Sequence, residues 1–374
     1  MVAPDLSSLR DRIESVDRQI IALLAERLKI VEEVAAAKLA SAAPFRDKER
    51  EELLLQRLRG QATAAGLDAH QVERMYRVVM DMSVAHQEAT VRSREDAPLR
   101  ITYQGVEGSY SHLAAQRRYA GRPGGALLAG HDTFRGAAQA VLEGAADLAL
   151  LPIENTTAGS INETYDLLAA GHLHITGEVV SAIEHCLLAM PGVTIDELRT
   201  VMSHPQALAQ CAGFFQQHPH LRPRTEVDTA GSARKVIEGN DRTVAAIASA
   251  AAAKRYGLAV LATGIQTTTG NATRFVEIAL RPAPLPQGAA AKTSLLLSLA
   301  DRPGALGDVL VRLAGRGLSL TKLESRPIPD APFTYRFYMD VLGHAASEPF
   351  HAALDDIRPL TTELRILGTY PAAQ

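Results

Sequence analysis

The sequence predicts a multidomain protein in which an all-α region is followed by an α/β region and then by a ferredoxin-like α+β region. Three observations predict this order. The start of the chain shows helical spacing without strand-like alternation, the middle alternates short apolar strands with helices, and the end follows a β-α-β-β-α-β order. The length of 374 residues agrees with two or three domains of roughly 150 residues each.

The same patterns predict where each region begins and ends. We place the all-α region at residues 1–91, the α/β region at 99–280 and the α+β region at 292–370. Residues 281–291 connect the last two regions, and their high proline content is typical of a linker between domains.

Composition limits the possible classes of function. Hydrophobic residues make up 47% and charged residues 22% of the chain, which is ordinary for a soluble globular protein. The net charge of -3 is spread along the chain without blocks of one sign, so we expect no nucleic-acid partner. The two cysteines, Cys186 and Cys211, are too few for a disulfide framework.

We expect a cytoplasmic protein that does not contact a membrane. Residues 1–12 contain four charged side chains and lack the apolar core of a signal peptide. The most apolar stretch, residues 244–253, is followed by Lys254 and is too short to span a bilayer of about 30 Å.

The first predicted helix carries cationic residues at informative spacings. It runs from an N-cap at Asp5 to about Ala40, and Arg27 occupies a position in its apolar seam, where a buried arginine needs a partner. Lys38 points to the same side as Arg27, because eleven residues are about 20° from three full turns. Arg10 lies about 26 Å from Arg27. If both arginines serve one small ligand, Arg10 must come from a second copy, which would make this helix a dimerisation element.

Two polar pairs lie on the two helices that follow. Asp47 and Glu51 are one turn apart on the first of them, and Ser83 and Gln87 are one turn apart on the second. Each residue alone is typical of a solvated helix surface. Together with the arginine in the apolar seam, the two pairs predict a polar pocket inside a helix bundle.

These residues resemble those of the all-helical chorismate mutases. The resemblance rests on the segments Leu9–Ile13, Leu24–Arg27, Ala37–Lys38, Arg46–Glu51 and Ser83–Gln87. It implies an intertwined homodimer that rearranges chorismate to prephenate. It also implies that each site takes Arg10 from the partner and takes from its own chain Arg27, Lys38, Asp47, Glu51, Ser83 and Gln87.

The resemblance also implies what each group does. The rearrangement is unimolecular, so the protein needs shape and fixed charge rather than a nucleophile. Arg10 and Arg27 would clamp the two carboxylates of chorismate. Lys38 and Gln87 would donate hydrogen bonds to the ether oxygen, where negative charge grows. The other three residues would hold the hydroxyl group and the reactive conformer.

Four polar segments lie beside the predicted strands of the α/β region. Three of them lead into helices, whose free N-terminal amides favour anions. Two small lobes with a cleft between them would bring such segments to one ligand. Any one segment is also typical of an ordinary turn, whereas a site for a small dianion explains all four. The segments are residues 105–111, 152–160, 203–206 and 270–275.

We expect this region to use no nucleotide cofactor and no metal. Neither a dinucleotide-binding glycine motif nor a complete phosphate-binding loop occurs in the sequence. His172 and His174 have no third ligand at metal-binding spacing, so surface histidines are the better interpretation.

The four segments resemble those of the prephenate dehydratases. The resemblance implies that prephenate binds in the cleft and loses its carboxylate as CO2 and its ring hydroxyl as water, which leaves phenylpyruvate. Thr273 would assist departure of the hydroxyl, by donating a proton or by orienting the group. Arg274 would be the counter-charge. The residues that would position the substrate are Asn155, Ser203 and Gln210.

The last region resembles the ACT domains of phenylalanine-regulated dehydratases. The resemblance implies that L-phenylalanine binds between two such domains and inhibits the enzyme, in a homodimer or a dimer of dimers. A plain dimerisation module is the alternative interpretation. The residues that carry the resemblance are Gly304, Ala305 and Leu306 at a helix N-terminus, and Glu324, Ser325 and Arg326 in a strand.

Two other classes of protein fit part of this pattern. An amino-acid sensor could combine a two-lobed binding fold with the last region, but it would have no use for the polar helical pocket or for Thr273–Phe275. A mutase fused to a dehydrogenase would need a dinucleotide-binding loop, which the sequence lacks.

Overall fold

The computed structural model of the chain divides into two compact units, Met1–Pro98 and Leu99–Gln374. The predicted site residue Asp47, the side chains of Lys38 and Gln87, and part of the linker lie outside the description. None of the described helices is long and apolar enough to cross a membrane. The residues described are 6–41, 48–92, 97–283, 285, 290–300, 302–328 and 331–372.

The first unit consists of three helices, as the sequence predicts. They are α1 (Leu6–Ser41), α2 (Lys48–Ala64) and α3 (Ala69–Arg92). The Asp68 carboxylate accepts hydrogen bonds from the backbone amides of His70 and Gln71 and therefore caps α3. Between α2 and α3, hydrogen bonds from Arg59 and then Arg77 lower the pKa of Glu73 to about 2.

Much of the apolar seam of α1 is exposed within the described part of its own unit. Leu23, for example, is 64% exposed. A row of apolar side chains at three-four and seven-residue spacing is the pattern of a helix that packs against another helix. The exposed members of this row are Leu6, Ile13, Val16, Ile20, Leu23 and Ile30.

The second unit begins with two α/β lobes and ends with an α+β layer. The first lobe contains β1 (Leu99–Gln104), α4 (Tyr110–Tyr119), β2 (Ala126–His131), α5 (Phe134–Leu142), β3 (Leu148–Asn155), β4 (Gly159–Ser160), α6 (Asn162–Ala169) and β5 (His174–Ala182). The second lobe contains β6 (Cys186–Ala189), β7 (Thr200–Ser203), α7 (Pro205–Gln210), α8 (Ala212–Gln217), β8 (Arg222–Thr225), α9 (Thr229–Gly239), β9 (Val244–Ala248), α10 (Ala250–Tyr256) and β10 (Ala259–Ala262). The chain then follows β11 (Ala272–Ala279), β12 (Ala291–Leu299), α11 (Ala305–Gly315), β13 (Leu320–Ile328), β14 (Ala331–Leu342), α12 (Glu348–Ile357) and β15 (Thr361–Pro371).

Each lobe is built on its own sheet, which confirms the predicted two-lobed α/β architecture. The first sheet has the order β2-β1-β3-β11-β5, with β4 paired to β3, and the second has the order β10-β6-β9-β7-β8. The chain therefore crosses between the lobes twice, after β5 and before β11. Because β11 returns to the first sheet between β3 and β5, residues distant in sequence become neighbours there.

The last layer is the predicted ferredoxin-like domain. Its antiparallel sheet has the order β13-β14-β12-β15, and its helices α11 and α12 pack against a core around Leu295, Met339 and Phe350. The domain also shares a second core with the first lobe, where Leu296 and Tyr370 lie in one cluster of buried side chains with lobe residues. The two predicted domains therefore form one compact unit.

A close backbone approach fixes this shared core. A Cβ atom on Gly368 of β15 would lie 1.9 Å from the carbonyl oxygen of Ile175 in β5, so only glycine fits there. The hydroxyl of Tyr338 donates a hydrogen bond to the carbonyl of Tyr165 over 2.9 Å, and Arg365 donates to the carbonyl of Ala169 over 2.9 Å.

Candidate active sites

A cavity lies between the two lobes, where the sequence predicts a cleft. Its volume is about 480 Å³. The N-terminal ends of α4, α5 and α6 reach it from the first lobe, and those of α7 and α9 reach it from the second. Apolar side chains, including Phe134, Ile183 and Phe275, provide surface for an apolar ring.

Backbone groups at helix ends give part of the cavity wall a positive partial charge. Among its described lining residues there is no lysine or arginine, whereas five helices, α4, α5, α6, α7 and α9, begin at its wall. The N-terminal amides of a helix carry partial positive charge. Ile161 stands at the N-cap of α6, and its side chain cannot accept a hydrogen bond, so the first amides of α6 remain available to a ligand. Two acidic residues, Glu163 and Asp228, also line the cavity.

Two paired strands place polar side chains in the wall of this cavity. In the register of β3 and β11, Asn155 lies opposite Thr273, and Glu154 lies opposite Arg274. Successive side chains of a strand point to opposite faces of the sheet. Asn155 and Thr273 therefore face the cavity, whereas Glu154 and Arg274 face away from it.

The Asn155 side chain joins both strands and the following turn. Its Nδ2 atom lies 2.9 Å from Thr273 Oγ1 and 2.8 Å from Asn271 Oδ1. Its Oδ1 atom accepts hydrogen bonds from the backbone amides of Thr157 and Ala158, over 3.0 and 2.9 Å. The side chain is 8% exposed, so it is held from every side.

The structure brings together three of the five predicted residues in the cleft. Asn155, Gln210 and Thr273 line the cavity, and the Gln210 amide nitrogen lies 3.3 Å from Asn155 Oδ1. Ser203 does not line it, because its hydroxyl is fully buried and donates to the backbone carbonyl of Ile247 over 2.6 Å. Ser203 therefore supports β7 and β9 from inside the second lobe.

Arg274, the predicted counter-charge, also lies outside the cavity lining. Its guanidinium contacts Asp340 of β14 at 2.5 Å, Glu178 of β5 at 3.4 Å and Glu154 at 3.7 Å. The sequence predicts a polar turn at residues 270–275, but Thr273–Phe275 lie within β11. Strand alternation then points Arg274 toward the ferredoxin-like domain, which argues against contact with a ligand in the cleft.

The sequence does not single out the cavity residue His185, and it includes Tyr110 only as a member of the predicted segment 105–111. The imidazole of His185 is 2% exposed and lies between Gln210 Oε1, at 2.7 Å from Nε2, and the hydroxyl of Tyr110, at 2.8 Å from Nδ1. The only sequence signal for His185 is its position directly before the apolar strand β6. Burial lowers the pKa of His185 despite its hydrogen bond to Gln210, so the ring is neutral.

The helical unit brings together two of its predicted site residues. The Arg27 guanidinium on α1 donates to Ser83 Oγ on α3 and lies 3.5 Å from the carbonyl oxygen of Val79. Ser83 donates its own proton to that carbonyl over 2.6 Å. Glu51 on α2 is half-buried, and Arg10 is exposed near the start of α1. The positions of Asp47 and of the Lys38 and Gln87 side chains lie outside the description.

A second cavity of about 290 Å³ lies in the ferredoxin-like domain, at the N-terminus of α11. Gly304, Ala305 and Leu306, three of the six residues predicted for effector binding, line it together with Tyr335 and Phe337. The Gly304 backbone has φ of 79°, a conformation that favours glycine.

The other three predicted effector residues lie on β13, away from this cavity. Lys322, Glu324 and Arg326 alternate along one half-buried face of the strand, and Ser325 is exposed. Glu324 contacts the hydroxyl of Ser160, and Arg326 lies 2.9 Å from a carboxylate oxygen of Asp166. Glu324 and Arg326 therefore bind the first lobe.

Three family matches account for nearly all of the described structure. Residues 9–88 match chorismate mutase type II, residues 101–283 match prephenate dehydratase, and residues 293–357 match the ACT domain. The chain is 40% identical over 372 residues to the bifunctional chorismate mutase/prephenate dehydratase of Enterobacter agglomerans, covering 98% of this chain and 96% of that protein. The chain belongs to the bifunctional chorismate mutase/prephenate dehydratase family.

Solved structures of similar proteins cover the second unit. A prephenate dehydratase from Arthrobacter aurescens in complex with L-Phe is 32% identical, with a TM-score of 0.67, and the match covers 74% of this chain and 90% of that one. A protein described as a novel type of quorum quenching acylase, GqqA, is 37% identical, with a TM-score of 0.66, over 73% of this chain and 98% of that one.

The predicted resemblance to these families and the predicted fold class are therefore confirmed. The helical unit is the chorismate mutase domain, the two lobes form the prephenate dehydratase domain, and the last layer is the ACT domain. Among the described residues, no group of three or more His, Cys, Asp and Glu side chains is arranged to hold a metal ion.

The surroundings of Asn155 predict a pH-dependent defect in Asn155→Asp. The new carboxylate would be buried against two acceptors, Asn271 Oδ1 and the carbonyl of Ala272, so its pKa should rise in the folded state. A raised carboxyl pKa stabilises the fold below the pKa of the unfolded chain, near 4, and that contribution is lost as the pH rises. We expect little loss of thermal stability at pH 4 and a growing loss toward pH 7, of about 1.4 kcal/mol per pKa unit.

Thermal unfolding of Asn155→Asp and Asn162→Asp at several pH values tests this expectation. Asn162 is exposed at the first position of α6, where a carboxylate is favourable, so the second variant is the matched control. An equal stability loss in Asn155→Asp at pH 4 and pH 7 would contradict the assigned orientation of the amide.

Proposed function

We propose that this chain carries out two consecutive reactions of phenylalanine biosynthesis in the cytoplasm, as a homodimer or a dimer of dimers. The helical unit rearranges chorismate to prephenate, and the cleft converts prephenate to phenylpyruvate. The observation that carries the second assignment is the Asn155–Thr273 pair in the wall of a cavity surrounded by helix N-termini. Such a cavity suits a small dianion with an apolar ring.

The dehydratase step requires departure of a carboxylate and a hydroxyl group from one ring. The prephenate dianion yields the phenylpyruvate anion, CO2 and hydroxide, and the hydroxide takes up a proton to leave as water. The electron pair of the broken carbon–carbon bond enters the ring, and formation of the aromatic ring drives the reaction. The protein therefore has to hold the dianion and stabilise charge on the departing oxygen.

Thr273 is the group suited to the departing oxygen. Its Oγ1 atom accepts a hydrogen bond from Asn155, so its own proton is free to point into the cavity. A neutral hydroxyl is a weak acid, but a fixed donor at this point stabilises the growing negative charge. Helix N-termini replace the role first assigned to Arg274, because they reach the cavity from both lobes.

The mutase site needs two copies of the chain. Arg27 is held at the seam of α1 by Ser83, whereas Arg10 lies seventeen residues away on the same helix, about 26 Å along its axis. A second copy packed on the exposed seam of α1 would cover its apolar side chains and deliver its own Arg10 to the Arg27 site. We infer that two such sites form in each dimer.

The ACT domain would take L-phenylalanine in its 290 Å³ cavity, where backbone amides at the start of α11 suit the carboxylate. A contact from this domain reaches the cleft directly. Ser160 lines the cleft, and its hydroxyl contacts Glu324 and lies 2.9 Å from Lys322 Nζ. A shift of β13 on effector binding would therefore move Ser160 and alter the wall of the substrate cavity.

The two activities should be separable by single substitutions. Arg27→Ala should lower mutase activity roughly 100-fold, because a charged hydrogen-bonding group is lost, and should leave dehydratase activity intact. Thr273→Val should lower dehydratase activity to a small residual rate and leave mutase activity intact, while Thr273→Ser should retain both. The measurement supplies chorismate or prephenate and follows prephenate and phenylpyruvate. Loss of both activities in either variant would refute two independent sites.

Complementation tests the shared mutase site. Arg10→Ala and Arg27→Ala should each be inactive alone. In co-expressed mixtures, half of the dimers are mixed, and each mixed dimer contains one site with both arginines, so about one quarter of wild-type mutase activity should return. No recovery in demonstrably mixed dimers would mean that Arg10 does not cross to the partner's site.

A substitution at a glycine that has free space around its Cβ position can block effector binding. A side chain at Gly307, which lines the ACT cavity with open space at its Cβ, would fill that cavity. Gly307→Leu should abolish both the inhibition of the dehydratase by L-phenylalanine and the rise in melting temperature that the ligand produces. Gly315→Leu, also in α11 with an open Cβ position, is the matched control and should keep both responses. An unchanged response in Gly307→Leu would exclude this cavity.

A further inference from the structure

The hydrogen bonds around Asn155 fix the orientation of its own side-chain amide. The backbone amides of Thr157 and Ala158 can only donate, so the Asn155 atom that faces them is oxygen. Asn155 Nδ2 then faces Thr273 Oγ1 and Asn271 Oδ1. The hydroxyl of Thr273 is therefore an acceptor toward Asn155 and a donor toward the cavity.

The orientation of the Gln210 side-chain amide is fixed in the same way. Thr157 Oγ1 lies 2.7 Å from Asn155 Oδ1 and donates its proton there, so it accepts from Gln210 Nε2 at 2.6 Å. Gln210 Oε1 consequently faces the other way, where it accepts from Asn271 Nδ2 at 3.1 Å and from His185 Nε2 at 2.7 Å. Since Gln210 Oε1 can only accept, His185 Nε2 carries a hydrogen.

Tyr110 completes the chain of hydrogen bonds. Its hydroxyl lies 2.8 Å from His185 Nδ1 and 2.7 Å from the backbone carbonyl of Glu184. Burial raises the pKa of Tyr110 well above its ordinary value and lowers that of His185, so Tyr110 keeps its proton and His185 carries only one. Because the single hydrogen of the ring is on Nε2, His185 Nδ1 can only accept, and the Tyr110 proton is shared between Nδ1 and the carbonyl oxygen of Glu184.

We propose that His185, held by Tyr110, is a positioning residue of the dehydratase: its Nε2–H group orients Gln210 and, through Asn155, aims the hydroxyl of Thr273 into the cavity. This role rests on the dehydratase function proposed above. His185 is not the proton source, because its one hydrogen is already given to Gln210. Without that donor, the Gln210 amide can turn over, and the acceptor side of Asn155 loses a partner.

Two replacements of His185 separate hydrogen bonding from packing. Glutamine can place an amide nitrogen near the position of Nε2, whereas asparagine reaches only the position of Nδ1. We expect His185→Asn to lower kcat for prephenate roughly 10- to 100-fold with little change in KM, the size of effect that misplacement of a reacting group produces. His185→Gln should remain within a few-fold of wild type. Chorismate mutase activity of the same preparations should stay unchanged, which would show that the variant proteins are intact.

A double-mutant cycle with Thr273→Val distinguishes a positioning role of His185 from a purely structural one. If His185 acts through the Thr273 hydroxyl, His185→Asn should have no further effect on the residual rate of Thr273→Val. Additive losses would overturn the proposal. So would wild-type kcat in His185→Asn, or equal losses in His185→Asn and His185→Gln.

Two further measurements separate a failure of this proposal from a folding failure and from a failure of the proposed function. If His185→Asn does not fold, Tyr110→Phe carries the same test, because it removes the hydrogen bond that holds the ring; a kcat lowered several-fold supports the proposal and an unchanged kcat overturns it. Wild-type protein that fails to convert prephenate to phenylpyruvate would instead refute the proposed function, so the two failures can be told apart.

Discussion

The hydrogen bond from Asn155 to the Thr273 hydroxyl depends on one constraint, the register of β3 and β11. This register sets Asn155 opposite Thr273 and Glu154 opposite Arg274. Because strand side chains alternate between faces, the same two strands present uncharged donors to the cleft and charged groups to the ACT domain. A one-residue slip would bury the ion pairs in the cleft and turn the amide and hydroxyl away from it.

The two proposed sites would hold dianionic ligands by different physical means. The proposed mutase pocket lies among long helices, whose sides expose only side chains, so its positive charge would have to come from side chains such as Arg27. The dehydratase cleft lies where helices begin, and backbone amides supply positive potential there. This leaves the charged residues behind the cleft for a structural role. Arg274 and Lys322 join the first lobe to the ACT domain through Asp340 and Glu154.

Local patterns in the sequence predict most of the fold and part of the sites. Helical spacing predicts α1, and motif segments find the residues that meet at the cleft, including Asn155 and Thr273. The short strands β2, β8 and β10 were not predicted. The first and last are short runs rich in Ala, Leu and Val that fit a helix as well as a strand, and β8 is polar and contains a proline. The contacts of Arg274 and Glu324 with the neighbouring domain could not be predicted, because they follow from which face of a strand each residue occupies. His185 was missed because its partners Tyr110 and Gln210 lie 75 and 25 residues away in sequence.

A crystal structure of the chain with a non-reactive analogue of prephenate, one that keeps the ring hydroxyl and both carboxylates, tests the central claim most directly. We predict that the ring hydroxyl lies within about 3 Å of Thr273 Oγ1, that Asn155 Nδ2 still donates to that atom, and that the carboxylates lie at the helix N-termini. An analogue whose hydroxyl points away from Thr273, or whose carboxylate contacts Arg274, would contradict the account.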